Sequence, residues 1–230
     1  MELCGVPLKV CAAQLSPDAP PESARVWPLT DTLARFLVDT YATPDGLRDK
    51  AVLELGAGTA ALSCFVAAAY TTVGRVYATD LPEVVPAMVA TVEANQLGGR
   101  VTVAPLRWGE ALTQPIDVVL CCECLYWGGW SILHDDTRQP LLQTLDDTCQ
   151  ANGAVCILAF TVRDADRELD FVRELLKRCN FKWRCVCGCV DRHVNQSAEL
   201  RLMSCRSAPG STCWTDAKEG DAVAMLLTRA

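Results

Sequence analysis

An acid and two glycines at the end of a short apolar run are the residues of this chain best suited to binding a cofactor. The run is Val52-Leu-Glu-Leu-Gly-Ala-Gly-Thr59. Gly56 and Gly58 lack a Cβ, so the turn can bend sharply and a ligand can lie against the backbone around Ala57. Glu54 can receive a cationic or hydroxyl group of that ligand. A plain strand-to-helix turn is the alternative interpretation of the same residues.

A second acid, Asp80, ends the next apolar run, Val73-Gly-Arg-Val-Tyr-Ala-Thr-Asp80. A carboxylate one strand away from a glycine turn can accept hydrogen bonds from both hydroxyls of a ribose. Asp80 can also cap a helix that begins at Leu81-Pro82, because Asp is a favoured N-cap and Pro suits the first helical turn. The third glycine of a dinucleotide-binding Gly-x-Gly-x-x-Gly motif is replaced by Ala61. These residues therefore favour S-adenosylmethionine over a nicotinamide dinucleotide.

Aromatic and acidic side chains follow two later predicted strands. Trp108 follows a strand over 101–106, and its indole can flank an adenine by stacking. Glu123 and Tyr126 follow a strand over 116–121, and a carboxylate with a tyrosine three residues later can hold an amine substrate. Ligands in such sheets bind at the carboxyl ends of the strands, where all these residues are expected. The alternatives are a tryptophan packed on the sheet edge and a tyrosine in the core.

The elements that position these residues alternate between strands and helices. Strands are predicted over 51–55, 74–79, 101–106, 116–121, 154–160, 181–190 and 222–228, and helices over 27–41, 60–70, 82–96, 140–151 and 166–179. Because the strands are apolar on both faces, the sequence predicts an α/β fold with a mostly parallel twisted sheet and helices on both faces. The last two strands have no helix between them and should pair antiparallel. Residues 191–220 are predicted to form a long loop.

The composition limits the class of protein. The chain has 230 residues, half of them apolar, with a formal net charge of −7 and a pI near 4.9. The acidic balance argues against nucleic acid or an anionic membrane as the partner. No apolar run approaches the ~20 residues that span a bilayer. We expect an extended, turn-rich N-terminal arm over 1–24 and one domain over 25–230.

Fourteen cysteines raise the question of disulfides or a zinc site. No convincing signal peptide precedes them, and no two pairs have the spacing of structural zinc ligands. We therefore expect reduced, mostly buried cysteines, no metal, and a cytoplasmic location with the nucleus as a further compartment. The only histidines, His134 and His193, are too isolated to indicate metal or triad chemistry.

Six ordered motifs resemble the small seven-β-strand (class I) protein-lysine methyltransferases of the methyltransferase-like group, the lysine methyltransferase family 16 type. The resemblance extends from about residue 25 to 160, with a weaker fit to the final strands. It implies a Rossmann-like class I methyltransferase fold, S-adenosylmethionine as methyl donor and a lysine side chain of a protein as acceptor. The motifs are Val26-Trp27-Pro28, Leu53-Glu-Leu-Gly-Ala-Gly-Thr59, Thr79-Asp-Leu-Pro-Glu83, Glu93-Ala-Asn95, Leu106-Arg-Trp-Gly109 and Glu123-Cys-Leu-Tyr126.

The resemblance also implies roles for individual residues. Glu123 and Tyr126 match the acid-x-x-Tyr motif that faces the lysine in similar enzymes. Trp27 would cover one side of the cofactor and Asp80 would hold its ribose. The other implied cofactor contacts are the turn residues Gly56, Ala57 and Gly58, the adenine neighbour Trp108, and Cys122 near the methyl donor.

The chain departs from the family pattern at two positions. Ala60 stands where the family usually has glycine, and its methyl group is expected to tighten the turn but to suit a helix start. Glu123 stands where the family more often has aspartate, so the carboxylate lies one methylene further from the backbone. The first departure bears on cofactor affinity and the second on substrate geometry.

The predicted reaction is in-line displacement by a neutral lysine amine. Glu123 and Tyr126 are expected to orient the amine, and Tyr126 and Trp127 to exclude water. One alternative is methylation of a small molecule or RNA by the same fold. Another is a non-catalytic S-adenosylmethionine-binding module. An oxidoreductase ranks below both, because the third glycine is missing and the final two strands are expected to pair antiparallel.

Overall fold

The computed structural model describes residues 1–110, 112–125, 137–185 and 217–229. In these residues the helices are α1 (Leu29–Thr40), α2 (Ala61–Ala69), α3 (Val85–Ala94), α4 (Arg138–Asn152) and α5 (Ala165–Arg178). The strands are β1 (Glu2–Leu3), β2 (Val6–Pro7), β3 (Ala51–Leu55), β4 (Arg75–Asp80), β5 (Val101–Pro105), β6 (Val118–Cys122), β7 (Val155–Thr161), β8 (Phe181–Cys185) and β9 (Ala222–Arg229). Strands and helices alternate as the sequence predicts.

Seven of the described strands form one sheet in the order β5-β4-β3-β6-β7-β9-β8. The strands from β5 to β7 are parallel, and Leu53 on the central strand β3 is opposite Tyr77 and Val119. Strand β9 runs antiparallel to both β7 and β8. The mostly parallel sheet with an antiparallel final pair is confirmed.

The two faces of the sheet are covered by different helices because the β3 side chains alternate between them. Val52 points into a core that contains Leu33 of α1, Phe65 of α2 and Met88 of α3. Leu53 and Leu55 point into a second core, which contains Leu141 and Leu145 of α4 and Phe171 and Leu175 of α5. The sheet is therefore buried on both sides, and its carboxyl edge is the place where a ligand can reach the strand ends.

The first residues fold back onto the domain, so the extended conformation expected for this segment is wrong. Strands β1 and β2 form a short hairpin, and Leu3 and Leu8 are buried in the core beside α1 and α2. The backbone N–H of Cys11 donates to Thr91 Oγ1 on α3 at 3.0 Å. Short 3-10 helices follow at Ala12–Gln14 and Pro21–Ala24. The division into residues 1–24 and a domain over 25–230 stays a prediction.

Nine of the cysteines in the described ranges are free thiols, and six of these nine are buried. Five of them belong to the second core: Cys121 on β6, Cys124, Cys149, Cys156 and Cys179. In the described ranges no three or more His, Cys, Asp or Glu side chains gather in a way that could hold a metal ion. No helix in those ranges is long and apolar enough to cross a membrane.

Candidate functional site

A cavity of about 590 Å³ opens at the carboxyl edge of the parallel strands. This volume is within the range of small-molecule and cofactor sites. The walls come from the ends of β3, β4 and β6, from the turns that follow β5 and β7, and from residues 20–27, which we call the cover segment. Every described residue of the predicted site lines this cavity: Trp27, Glu54, Gly56, Ala57, Gly58, Asp80, Trp108, Cys122 and Glu123.

The glycine turn after β3 leaves space that any larger residue would fill. Gly56 and Gly58 have φ of +63° and +53°, which L-residues with a Cβ rarely adopt. A Cβ on Gly56 would lie 3.1 Å from Cys124 Sγ and 3.5 Å from the Trp108 ring. A Cβ on Gly58 would lie 3.4 Å from the backbone oxygen of Ser23 in the cover segment. The turn therefore presents backbone atoms without side chains to the cavity, and the cover segment lies close to it.

Ala60 also lies in the left-handed region, with φ +58° and ψ +22°. The expectation that its methyl group suits the start of a helix is wrong, because an alanine in this conformation is strained. Its side chain is buried and packs in the core that α1 and α2 share. Glycine, which the related motif carries at this position, adopts the left-handed conformation without strain. In this chain alanine adopts it, at a cost of about 1 kcal/mol.

Asp80 connects the turn after β3 to the end of β4. Its Oδ2 accepts the Gly58 backbone N–H at 2.7 Å, and its Oδ1 accepts the Leu81 N–H at 2.7 Å. Burial raises the pKa of this carboxyl, and the two hydrogen bonds lower it. Helix α3 begins at Val85, so the alternative in which Asp80 caps a helix starting at Leu81-Pro82 is wrong. Each oxygen keeps a lone pair for a ligand hydroxyl.

Glu54 is a buried acid beneath the turn. Its Oε2 accepts the Ser63 backbone N–H at 2.9 Å and the Ser63 hydroxyl at 2.5 Å. Burial raises the pKa of Glu54 to about 7, against the smaller lowering effect of the Ser63 hydrogen bonds. A buried carboxyl poised near neutral pH responds strongly to a positive charge placed beside it. Glu54 therefore suits a cationic group of a ligand better than a neutral one.

Two indoles lie on the cavity wall. Trp27, from the cover segment, has the Arg25 guanidinium 5.4 Å from its ring centroid and the Arg163 guanidinium at 5.5 Å. These distances are typical of cation–π contacts and hold the ring in place. Trp108 is half-buried against the second core beside the glycine turn. An aromatic ligand group can stack against either ring.

Glu123 sits at the end of β6 with φ +58°. Its side chain is 3% exposed. Its Oε1 accepts the Thr161 hydroxyl at 2.6 Å, and its Oε2 accepts the Thr161 backbone N–H at 3.2 Å and an Arg163 N–H at 2.7 Å. The acid is thus bound to the end of the neighbouring strand β7. Tyr126 and Trp127, like His134 and His193, lie outside the described residues, and so does the loop predicted over 191–220 apart from 217–220.

Cys122 lines the cavity between the two strand ends. Burial raises the pKa of its thiol well above the ordinary range, and the Glu123 and Glu54 carboxylates raise it further. A thiol in this state stays protonated and is a poor nucleophile. Cys122 therefore contributes shape and a weak hydrogen bond rather than covalent chemistry.

Three polar residues of the site were missed in the sequence: Ser63, Thr161 and Arg163. Thr161 ends β7 and Arg163 follows it, so the strand-end rule that pointed to Asp80 and Glu123 would also have pointed to them. Ser63 lies in the first turn of α2, and a serine hydroxyl there can donate a hydrogen bond to a nearby buried acid.

The described residues fit S-adenosylmethionine, the cofactor that the resemblance implies. The space left by the absent Cβ atoms of Gly56 and Gly58 lets a ligand approach the backbone. Asp80 and Glu54 present carboxylates suited to ribose hydroxyls and to a cationic group. Trp108 presents a ring beside that space for an adenine.

Comparisons with known proteins agree with this geometry. A family model described as lysine methyltransferase matches residues 21–178. Over 156 residues the chain is 26% identical to the calmodulin-lysine N-methyltransferase of Arabidopsis thaliana, covering 65% of this chain and 48% of that protein. Over 163 residues it is 29% identical to the protein-lysine methyltransferase METTL21E of Mus musculus, covering 66% of this chain and 62% of that protein. The chain spans less than two thirds of the length of the curated relatives it matches.

Solved structures share the fold. The magnesium protoporphyrin IX methyltransferase of Synechocystis PCC 6803, determined with bound S-adenosylhomocysteine, superposes with a TM-score of 0.53. The two sequences are 18% identical, and the match covers 87% of this chain and 82% of the other. At this identity the likeness establishes the architecture of the sheet and helices alone.

Proposed function

The chain belongs to the lysine methyltransferase family, and on that premise we propose that it transfers the methyl group of S-adenosylmethionine to a lysine side chain of a protein. One observation carries the proposal. Asp80, suited to the cofactor ribose, and Glu123, the acid of the substrate motif, line the same cavity at the ends of β4 and β6, the two strands that flank β3. A donor held by the first acid and an amine held near the second therefore meet in one enclosed space.

The chemistry requires alignment more than acid catalysis. When bound, S-adenosylmethionine would supply a methyl carbon on a positively charged sulfur, so that an N–C bond could form as the C–S bond broke with its electron pair going to sulfur. Gly56, Gly58 and Asp80 hold the donor at the β3 and β4 ends. Glu123 orients the amine, and the cover segment with Trp27 excludes water from above. The amine must lose its proton to solvent before it attacks, because an ammonium has no lone pair.

Glu123 is an orienting group in this proposal and not the general base. Its carboxylate already accepts hydrogen bonds from Thr161 and Arg163, so its position is set before a substrate arrives. A rigid acceptor can direct an amine N–H and leave the nitrogen lone pair aimed at the methyl carbon. We propose that Tyr126 acts together with Glu123 in orienting the amine. We also propose that the extra methylene of glutamate relative to aspartate adapts the site to a particular acceptor.

We propose a protein as the partner, with nucleic acid and membranes disfavoured by the net charge of −7. We also propose a reducing compartment, the cytoplasm with the nucleus as a further location, supported by the nine free cysteines among the described residues.

The test is transfer of tritiated methyl groups to desalted cell lysate, with protease-treated and nuclease-treated controls. The expected result is label that disappears with protease and elutes as methyl-lysine after hydrolysis. Label found as methyl-arginine, or label that survives protease, would contradict the lysine proposal and assign a different acceptor. Binding of S-adenosylhomocysteine without any transfer would assign a binding module.

Two matched variants test the role of Glu123. E123Q keeps an oxygen acceptor but loses the charge, and we expect transfer to slow by roughly 10–100-fold while S-adenosylhomocysteine binding stays near wild type. The control is D146N, because Asp146 is also a largely buried acid paired with an arginine, Arg178, at 2.9 Å. Asp146 lies on α4, its partner Arg178 ends α5, and Asp146 does not line the cavity. Equal losses of transfer in both variants would contradict the assignment.

A further inference from the structure

Arg163 is held in the cavity wall by contacts on several sides. One N–H donates to Glu123 Oε2 at 2.7 Å, and others donate to the backbone oxygens of Thr161 at 3.2 Å and Leu125 at 3.5 Å. The guanidinium also lies 5.5 Å from the Trp27 ring centroid. Its side chain is only 24% exposed. The guanidinium is therefore a permanent positive charge fixed between the substrate acid and the cover segment.

A lone carboxylate at the Glu123 position would work against the proposed reaction. The lysine side chain has an unperturbed pKa of about 10.4, so at neutral pH almost all of it is ammonium. A buried negative charge beside the amine would stabilise the ammonium further and raise that pKa. The acceptor that the reaction needs is the uncharged amine. An acid in the substrate motif therefore needs its charge offset by a neighbour.

We propose that Arg163 is a positioning residue that offsets the charge of Glu123, so that the site favours the uncharged form of the acceptor amine. The inference rests on the proposed function and adds the electrostatic requirement of its substrate site. The ion pair leaves Glu123 as a hydrogen-bond acceptor without a net negative charge at that side of the cavity. The same pair fixes the carboxylate direction, because the guanidinium is itself fixed by backbone oxygens and by Trp27.

The other charges around the cavity do not supply this offset. Glu54 and Asp80 line the donor side at the ends of β3 and β4, and Arg107 is paired with Glu83 at 2.8 Å. Behind Arg163, the Glu168 carboxylate accepts the backbone N–H groups of Arg163 and Asp164. The remaining charged lining residues belong to the cover segment and are Glu22 and Arg25. In the described part of the chain, the cation in contact with the Glu123 carboxylate is that of Arg163.

The expected signature is a change in pH dependence. In R163Q the amide can still donate to Glu123, but the positive charge is gone. The acceptor amine in the complex then becomes harder to deprotonate, and the midpoint of the rate profile moves to higher pH by about 1 unit. At pH 7.5 this corresponds to a roughly tenfold slower transfer, and the difference from the wild-type rate narrows only as the pH approaches the shifted midpoint. E123Q has the opposite charge change, so its midpoint should move to lower pH.

The experiment measures single-turnover methyl transfer between pH 6.5 and 10. The probe is desalted lysate protein with tritiated S-adenosylmethionine and enzyme in excess, so that the rate constant belongs to the bound complex. Label is counted as methyl-lysine, and reactions without enzyme are subtracted. R163K keeps the charge and should keep the wild-type midpoint. R178Q, which breaks the Asp146 ion pair away from the cavity, is the matched control and should also keep it.

The outcomes separate this inference from the proposed function. An alkaline shift in R163Q that is absent from R163K and R178Q supports the role of Arg163. Loss of rate by the same factor at every pH would show a structural role only and overturn it. A wild-type pH profile in R163Q would also overturn the inference. In either case, methyl-lysine formed by the wild-type protein would still support the proposed function. If R163Q does not fold by circular dichroism, an E123Q midpoint that fails to move to lower pH overturns the inference. A wild type that forms no methyl-lysine removes both.

Discussion

The backbone N–H of Gly58 donates to the Asp80 carboxylate at 2.7 Å, so the glycine turn after β3 and the acid at the end of β4 stabilise each other's position. The same carboxylate accepts the Leu81 N–H from its own strand end. The acid predicted to bind ribose therefore also sets the shape of the turn that the cofactor lies against. Loss of this acid should affect the ligand in two ways at once.

Asn at position 80 cannot accept both backbone N–H groups, because its amide nitrogen is a donor. We expect D80N to weaken S-adenosylhomocysteine binding by at least tenfold, measured by isothermal titration calorimetry. D117N is the control, because Asp117 Oδ2 similarly accepts the Ala51 N–H at 2.8 Å, at the opposite end of β3. Similar affinity losses in the two variants would contradict a local role for Asp80.

Glu54 should make the ligand-free protein less stable as the pH rises. Its pKa is about 7 in the folded state because of burial, against an ordinary value of 4.5. Between these values the unfolded chain loses a proton that the folded protein keeps, so stability falls through this window by roughly 3 kcal/mol. E54Q lacks this titration, and its free energy of unfolding in urea should fall less between pH 5 and pH 8. Identical pH dependence in both proteins would rule this out.

A methyl group at position 56 should damage the turn. G56A requires an alanine at φ +63° with its Cβ 3.1 Å from Cys124 Sγ, and we expect a loss of about 1–2 kcal/mol in unfolding free energy. S-adenosylhomocysteine binding should weaken together with stability. G98A is the control, because a Cβ at Gly98 meets nothing within 4 Å. Thermal melts and calorimetry that fail to separate the two variants would argue against a close backbone approach.

Because Ala60 adopts a left-handed conformation, we expect glycine at this position to destabilise the protein less than at other buried alanines. A60G and A67G both remove a buried methyl group, but Ala60 has φ +58° and Ala67 lies inside α2. Glycine relieves about 1 kcal/mol of strain at the first position and costs about 1 kcal/mol of helix propensity at the second. A60G should therefore be more stable than A67G by about 2 kcal/mol in chemical denaturation. A less stable A60G would show that packing outweighs backbone strain there.

Much of the site was predictable because strand-end residues of a parallel sheet converge whatever their distance along the chain. Glu54, Asp80, Trp108 and Glu123 were placed at one edge by this rule. The same rule would also place Arg163 at this edge. It does not predict the ion pair between Glu123 and Arg163, because the directions of the two side chains depend on how β6 and β7 end. From the sequence alone, Glu123 is predicted to be an acid of the substrate motif, and nothing indicates that it pairs with Arg163.

Two local features were mispredicted for conformational reasons. The start of α3 is ambiguous because Pro82 and Pro86 both suit a first helical turn, and the structure uses Pro86. The N-terminal hairpin has Cys4 at φ +47° and Gly5 at φ +79° in its turn, and a cysteine is an uncommon residue for that geometry. In both places tertiary packing decides between local conformations of similar energy.

Strand β9 enters the sheet between β7 and β8, although it follows both of them in the chain. During synthesis β8 leaves the ribosome first and has no neighbour to pair with until residues 222–229 arrive. Until then β7 exposes a row of unpaired N–H and C=O groups at the edge of the sheet. The five strands that hold the ligand residues can pair earlier. A nascent chain that stalls before position 222 would therefore have an assembled cofactor edge and, at β7, an unpaired strand edge that is prone to aggregation. The order in which the strands are translated is thus part of how this protein reaches its fold.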